Sequence, residues 1–567
     1  MGKIIKDDVS IVISGEAGQG IQTIEKFLTR ILKEEGFNVF ATKEYMSRIR
    51  GGDNSTELRI SSKKVRSYVD KIDILIPLTL SSIKHLKNRI DNKTIILIDK
   101  DSINYEGDNV VHIPIESDAK EIGNKIFSNT IAVGIILGLF GLQKNSIKEY
   151  MEKLFSKKSE EIINKNINAA EKGYEYGKNF YDENKIKIDI KKDEKVKNHI
   201  LINGAEAVAL GCIYGGCDSI FSYPMTPGTG VLLSLAEYSN DFDILVEQAE
   251  DEIAAINMAI GGWYAGARSM ITTSGGGFAL MTEGISLAGM IDSPVVAHIA
   301  QRPGPATGLP TRTAQEDLNL VLYAGHGEFE RVIYAPGSLE EAFYLAKKSF
   351  ETADKYQIPV FILTDQYFVD SYYNTEEFIL EKDKITKNIV KTDIDYKRYK
   401  INDKPISPRG VPSFGEGIVV VDSDEHDEAG HITENLDLRV KLNERRLNKI
   451  KELRKNALLP ELIGVNSYET LVISWGSNKN VVKEAVENIE HHKISQLHFN
   501  QLYPLPEKAK DYLKKAHKII CVENNATGQF AELIKKELDI KIENKILKYD
   551  GVVFSSEGLI EKIKELI

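Results

Sequence analysis

Cysteine is scarce in this 567-residue chain, with only Cys212, Cys217 and Cys521 present. Three thiols cannot build a disulfide framework or a four-thiolate cage. An oxidising compartment is therefore not implied, and an iron–sulfur cluster held by four thiolates would need another polypeptide. Long apolar runs are lacking too. The longest, Thr130 to Leu142, falls short of the ~20 residues a membrane-spanning helix needs. Its glycines suit a buried helix in close contact with a neighbour. The start, Met1-Gly-Lys-Ile-Ile-Lys-Asp-Asp, has no apolar signal core, and Lys6 stands where a myristoylation motif carries Ser or Thr. Positive charge is not in excess: the formal charge of −11 leaves no basic footprint for nucleic acid or an anionic membrane. A cytoplasmic protein without nucleic-acid or membrane partners is expected.

What the chain does contain suits large cores. Hydrophobic residues make up 42% and charged residues 28%, as in soluble globular proteins. Strand-like apolar runs alternate with helical patterns, which predicts an α/β fold of three consecutive α/β domains. In the first, residues 1–185, Val9–Ser14, Ile72–Pro77 and Thr94–Asp99 read as strands of a mostly parallel sheet. The polar tail from Tyr181 to Lys197 reads as an exposed linker. In the second, residues 198–395, strands are expected at Ser219–Ser222, Ser269–Thr272, Val295–Ile299, Arg331–Tyr334 and Pro359–Leu363. A connector, 396–459, ends in a charged helix from about Leu438 to Asn456 whose Lys and Arg residues are expected to be solvated. The third, 460–567, carries Thr470–Ser474 and Lys518–Glu523.

Four polar motifs are concentrated in the second domain. Advancing 100° per residue along a helix over Glu247–Tyr264 puts Ile253, Ile256, Ala259, Ile260 and Trp263 on one stripe. Glu252 falls at its edge or within it. A carboxylate facing a core is costly unless it is paired or used. It is either a helix-start acid met by backbone amides or an acid whose raised pKa serves proton chemistry. Tyr223-Pro224-Met225-Thr226-Pro227 follows a strand, and its prolines stiffen the loop that presents Thr226. Gln301-Arg302-Pro303-Gly304-Pro305 also follows a strand. Arg302 offers a fork suited to a carboxylate, with Thr307 and Thr311 further along the loop. Thr273-Ser-Gly-Gly-Gly-Phe278 allows close backbone approach to a cofactor ring or a neighbouring helix.

Other candidates read more blandly. His326-Gly-Glu328 could supply acid–base chemistry, though a structural histidine is the commoner case. Gly15-Glu-Ala-Gly-Gln-Gly20 could cradle a phosphate at a helix start, but its spacing is not that of a dinucleotide fingerprint. Asp422 to His431 has metal-type side chains without the spacing of a known cage, so no metal is assigned to this chain. Cys212 and Cys217 read as small core residues of a helix over Ala205–Gly215.

Together these motifs resemble the alpha subunit of the 2-oxoacid:ferredoxin oxidoreductases, in the form with the gamma domain fused ahead of alpha, and the 2-oxoglutarate-type (Kor-like) members most of all. The resemblance rests on Tyr223–Pro227, Glu247–Ala267, Thr273–Glu283 and Gln301–Asp317. His326–Glu328, Ser423–His426, Glu523–Gln529, the Gly15–Gly20 loop and Ile49-Arg-Gly-Gly52 add to it. It implies a gamma domain at 1–185, a thiamine diphosphate pyrimidine-binding domain at 198–395 and a transketolase C-terminal-like domain at 460–567. It implies that Glu252 bonds the aminopyrimidine ring and so promotes loss of the thiazolium proton, and that Pro224 packs on the cofactor. It implies that Thr226 and Arg302 hold the oxoacid's carboxylate and keto oxygen, with Thr311 a further candidate for substrate contact. Neither a Gly-Asp-Gly segment with its Asn pair nor cluster cysteines occur here, and the resemblance implies that magnesium and the iron–sulfur cluster belong to a beta subunit. By the same resemblance ferredoxin is expected to take the electrons, coenzyme A the acyl group, and the assembly to be a dimer of heterodimers. Two departures stand out: Thr-Ser-Gly-Gly-Gly replaces the usual Ser-Gly-Pro-Gly, and Gln-Arg-Pro-Gly replaces Gln-Arg-Gly-Gly. The rival readings are a ferredoxin-independent, transketolase-type thiamine enzyme and a non-catalytic binding subunit.

Overall fold

The computed structural model describes residues 3–16, 21–46, 51–381, 385–490 and 493–567. Positions 17–20 of the Gly15–Gly20 loop, and Ile49 and Arg50 of the Ile49–Gly52 motif, lie outside the described residues. The chain forms two compact units. One is Met1–Ile202 with Ser371–Glu377, and the other is Asn203–Asp370 with Phe378–Ile567.

The first unit is built on an eight-stranded sheet in the order Val110–Ile113, Ile95–Asp99, Ile74–Pro77, Asp8–Glu16, Asp53–Ser61, Asn38–Glu44, Tyr372–Thr375, Ile200–Asn203. The strands on one side of Asp8–Glu16 run parallel to it. On its other side Asp53–Ser61 and Asn38–Glu44 are antiparallel. The expectation of a mostly parallel sheet therefore holds for only one half. The antiparallel half has no apolar run to announce it, because Asp53–Ser61 buries polar Ser55, Thr56 and Glu57 ahead of Leu58 and Ile60. Glu57 takes both Arg89 Nη atoms at 2.7 and 2.8 Å, and Thr56 Oγ1 donates to Glu25 Oε2 at 3.1 Å.

The predicted glycine-lined helix is present at Ser128–Leu139, packed on helix Glu160–Asp182. The glycines are needed on both sides. A β-carbon on Gly134 would lie 2.8 Å from Tyr174 N, and one on Gly173 would lie 2.8 Å from the Ile131 carbonyl carbon. Gly138 and Gly177 are equally confined. The linker expected from Tyr181 to Lys197 is instead folded. Ile186–Asp189 is a strand parallel to Lys3–Lys6, and Ile186, Ile188, Ile190 and Val196 are buried. Its isoleucines alternate with charged residues, so composition alone reads as polar while the period of two buries one face.

The second unit holds two sheets sharing one hydrophobic core. The seven-stranded sheet runs Leu245–Gln248, Ser219–Ser222, Ser269–Thr273, Val295–Gln301, Pro359–Asp365, Val332–Tyr334, Gln501–Tyr503. The five-stranded sheet runs Glu461–Gly464, Ile494–Phe499, Thr470–Trp475, Lys518–Glu523, Asn544–Leu547. Every strand expected from an apolar run in this unit is present; Ser219–Ser222 and Lys518–Glu523 have the expected ends, and the others shift at one end by one or two residues. The helix read over Glu247–Tyr264 begins only at Glu252, because Glu247 belongs to strand Leu245–Gln248.

The charged helix, Leu436–Lys455, corrects another expectation. Its basic residues are not all solvated: Arg445, Arg446 and Lys449 are buried. Arg445 Nη2 and Lys449 Nζ both pair with Asp292, the lysine at 2.7 Å. Burial pushes the Asp292 carboxyl up, but Arg445, Lys449 and Arg398 outweigh it and hold it well below the usual carboxylate range.

Candidate active site

Four neighbouring strands deliver the four motifs. Leu245–Gln248, Ser219–Ser222, Ser269–Thr273 and Val295–Gln301 lie side by side and parallel. Their carboxyl ends therefore share one edge, the usual position of sites in open parallel sheets. They lead respectively to the Glu252 helix, the Thr226 loop, the triple-glycine loop and the Arg302 loop.

Glu252 is the first residue of helix Glu252–Tyr264 and is 3% exposed. The helix is capped by Asp251, whose side chain accepts from Ala254 N at 2.8 Å. The backbone amides are thus served by the neighbouring aspartate, and Glu252 Oε1 is buried with no hydrogen-bond partner. The buried face runs through Glu252, Ala255, Ile256, Ala259, Ile260 and Trp263, while Ile253 is 47% exposed. The start of the helix at Glu252 turns Ile253 outward and Glu252 inward.

The triple-glycine loop is the hub of the site. A β-carbon on Gly277 would lie 2.5 Å from Glu252 Oε1 and closer still to Thr273 Oγ1. One on Gly275 would lie 2.5 Å from Asp317 Oδ1. Glycine is therefore required at both positions so that two carboxyl groups can approach the backbone. The close approach expected of this loop is made by the chain's own acids. Thr273 Oγ1, Ser274 Oγ and Asp317 Oδ2 are, like Glu252 Oε1, buried without partners. Four orphaned polar atoms around one loop are far more than ordinary packing leaves in one place.

Arg302 follows strand Val295–Gln301 directly, and its Nη1 donates to the Thr226 carbonyl oxygen at 2.7 Å. The two residues expected to act together are thus brought together. Burial lowers the Arg302 pKa, with Asp317 pulling the other way, yet no described carboxylate forms an ion pair with it. Both loops are firmly held. Thr272 Oγ1 donates to the Gly228 carbonyl at 3.1 Å, and Gly304 N donates to Glu316 Oε2 at 3.0 Å. Pro224 is half-buried beside Tyr223, which is 40% exposed. Thr311 is also half-buried, in the stretch that Thr313 N ties to the Gly551 carbonyl at 3.1 Å. Among the described residues it makes no hydrogen bond to Thr226 or Arg302.

Sequence reasoning missed Asp317 as a site residue. Its backbone N donates to Gln301 Oε1 at 2.9 Å, which seats it behind Arg302. Burial raises its pKa to about 7, reinforced by Glu316 and opposed by Arg302. The signal was its place at the end of the Gln301–Asp317 motif. Thr273 and Ser274 were read only as flanks of the glycines. His326 and Glu328 are exposed and stand outside this cluster. His426 is fully buried, with its ring 3.8 Å from that of Tyr399. Cys212 and Cys217 are buried, Cys217 just beyond helix Gly204–Tyr214, and burial pushes the Cys217 thiol up to about 12.

Comparison with known proteins places the chain in a family. Residues 210–445 match the family described as pyruvate flavodoxin/ferredoxin oxidoreductase, thiamine diphosphate-binding. Residues 10–176 match the family described as pyruvate ferredoxin/flavodoxin oxidoreductase. The 2-oxoacid:ferredoxin oxidoreductase alpha subunit of a Sulfolobus species is 31% identical across 99% of this chain and 97% of its own length. The KorA subunit of 2-oxoglutarate synthase from Archaeoglobus fulgidus is 30% identical, covering 64% of this chain and 98% of its own. Among solved structures, a 2-oxoglutarate:ferredoxin oxidoreductase from Magnetococcus marinus, with 2-oxoglutarate, coenzyme A and succinyl-CoA bound, is 29% identical. It superposes with a TM-score of 0.92 over 99% of both chains. With full-length coverage at this identity, and with Glu252, Thr226 and Arg302 gathered at one sheet edge, the chain belongs to the 2-oxoacid:ferredoxin oxidoreductases, as a counterpart of their alpha subunits.

Proposed function

We propose that this chain is the alpha-type subunit of a thiamine-diphosphate-dependent enzyme that oxidatively decarboxylates a 2-oxoacid, 2-oxoglutarate in the first instance. The products are the acyl-CoA, carbon dioxide and reduced ferredoxin. The carrying observation is the buried, partnerless Glu252 Oε1 set against Gly277 among Thr273 Oγ1 and Ser274 Oγ. Those orphaned atoms fit the nitrogen-rich edge of an aminopyrimidine, and Pro224 supplies apolar packing. Bound thiamine diphosphate supplies the carbon nucleophile and the electron sink for decarboxylation. Glu252 would hold the ring through Oε1, which is buried and free to bond a ring nitrogen in a space closed to water. Arg302, oriented by the Thr226 carbonyl, turns its remaining N–H groups to the oxoacid carboxylate. The Thr226 hydroxyl meets the keto oxygen, and Thr311 contacts the substrate tail.

The preference for 2-oxoglutarate is supported by the names of the KorA relatives and of the superposing structure. On this reading a cytoplasmic beta subunit brings magnesium and the iron–sulfur cluster, and two heterodimers associate. Residues 1–185 form the gamma-type part, 198–395 the pyrimidine-binding part, and 460–567 the transketolase C-terminal-like part. The test is reconstitution with the beta chain and assay of coenzyme A-dependent ferredoxin reduction over several 2-oxoacids. Glu252→Gln is expected to lower turnover by about 10²–10⁴-fold with unfolding temperature unchanged. Undiminished turnover would overturn the assignment.

A further inference from the structure

His326-Gly-Glu328 and Ser423-Asp-Glu-His426 take no part in the Glu252 cluster, yet residues of both line one cavity of about 490 Å³. That is within the ~300–1,000 Å³ typical of small-molecule sites. Helix Thr282–Met290 and helix Leu436–Lys455 form its walls, and the latter contributes Arg446.

Arg446 is 6% exposed. Its Nη1 reaches only Asn443 Oδ1 and its Nη2 only Met290 Sδ, each at 3.4 Å, and its Nε has no acceptor. No carboxylate among the described residues pairs with it. Glu425, on the same cavity, gives one oxygen to Arg439 Nε at 2.9 Å. Its other oxygen, Oε1, is buried without a donor. One cavity is thus lined by a buried guanidinium with two long contacts and an Nε lacking an acceptor, and by a half-buried carboxylate whose Oε1 lacks a donor, each atom costly to leave so. Leu287, Met290 and Phe329 add apolar wall, and exposed Glu283 and Glu328 add negative charge. Arg439 also lines the cavity, so three carboxylates face two arginines, and that balance favours a ligand carrying a cation as well as an anion over a plain anion.

We propose that this cavity binds an apolar α-amino acid, its carboxylate on Arg446, its ammonium on Glu425 and its side chain against Leu287, Met290 and Phe329. An α-amino acid carries both charges on adjacent atoms, which one small ligand needs in order to satisfy both groups. The inference does not rest on the oxoacid reading, since none of these residues belongs to the Glu252–Arg302 cluster.

The test is calorimetric titration of L-leucine into the full chain, alone and in complex with its beta-type partner. Saturable binding is expected in both. Two analogues, 3-methylbutylamine without the carboxylate and 4-methylpentanoate without the ammonium, should each bind about tenfold more weakly or worse. Glu425→Gln and Arg446→Met should weaken leucine to a similar extent, and Arg302→Ala should leave it unchanged. The analogue comparison stands even if Arg446→Met does not fold. The proposal is overturned by absence of binding in the complex, by analogues that match leucine, or by binding that follows Arg302 rather than Glu425.

Discussion

Glu252 Oε1 occupies the space beside Gly277 so closely that a β-carbon on the glycine would lie 2.5 Å away. The acid's position is therefore set by the absence of a side chain on a different element. Gly277→Ala is expected to displace the carboxyl and cut turnover of the reconstituted enzyme on the order of 10²-fold. Overpacking should also cost about 1–3 kcal/mol of stability. Gly276→Ala is the control, since the nearest atom to its β-carbon would be the Ala306 carbonyl oxygen at 3.7 Å. Equal losses in the two variants would show that the Glu252 contact is not the cause.

Asp317 gives a pH dependence with a definite sign. Its pKa rises from 3.8 to about 7 on folding, chiefly through burial. Between those values the unfolded chain releases the proton while the folded chain keeps it, so this residue lowers stability as pH rises through the window. Asp317→Asn removes that penalty. Its unfolding temperature should match the parent near pH 4 and exceed it increasingly up to pH 7, with no further gain above. A constant difference across that range in thermal scans would refute the account.

Asp292 makes the opposite case, a buried acid that two cations need. Asp292→Asn leaves Arg445 and Lys449 without a counter-charge and should destabilise the chain by about 3–5 kcal/mol. Combining it with Lys449→Met removes one of the stranded charges and should recover part of the loss. Denaturant titration of the single and double variants measures both. A double variant less stable than Asp292→Asn would argue against charge imbalance as the origin.

Much of the site was legible because its strands are apolar and its loops are not. Ser219–Ser222, Ser269–Thr273 and Val295–Gln301 announce themselves by composition, so the polar residues after each fall at one sheet edge once the strands run parallel. Glu252 was legible as an acid in an apolar pattern, although the pattern was started too early and Ile253 was placed on the wrong face. Asp317 ended a recognised motif, but its role was not legible, because its close contact with Gly275 joins it to a different loop. The roles of Arg445 and Lys449 were hidden likewise. A run of Lys and Arg reads as solvated until Asp292, on another element, is brought beneath it. The antiparallel Asp53–Ser61 was missed because only Leu58 and Ile60 among its buried side chains are apolar, while Thr56 and Glu57 are buried through polar pairs.

The glycine contact between helices Ser128–Leu139 and Glu160–Asp182 constrains how this chain can drift. Gly134 and Gly138 on one side, and Gly173 and Gly177 on the other, each face backbone atoms of the opposite helix. A methyl gained on either face cannot be offset by trimming a side chain opposite, because there is none to trim. Accommodating it means shifting a whole helix, and Glu160–Asp182 runs on into Ile186–Asp189, the strand that pairs with Lys3–Lys6. The four glycines thus tie the seating of the first strand to a helix contact far along the chain. Among descendants of this sequence they should be kept or lost as a set.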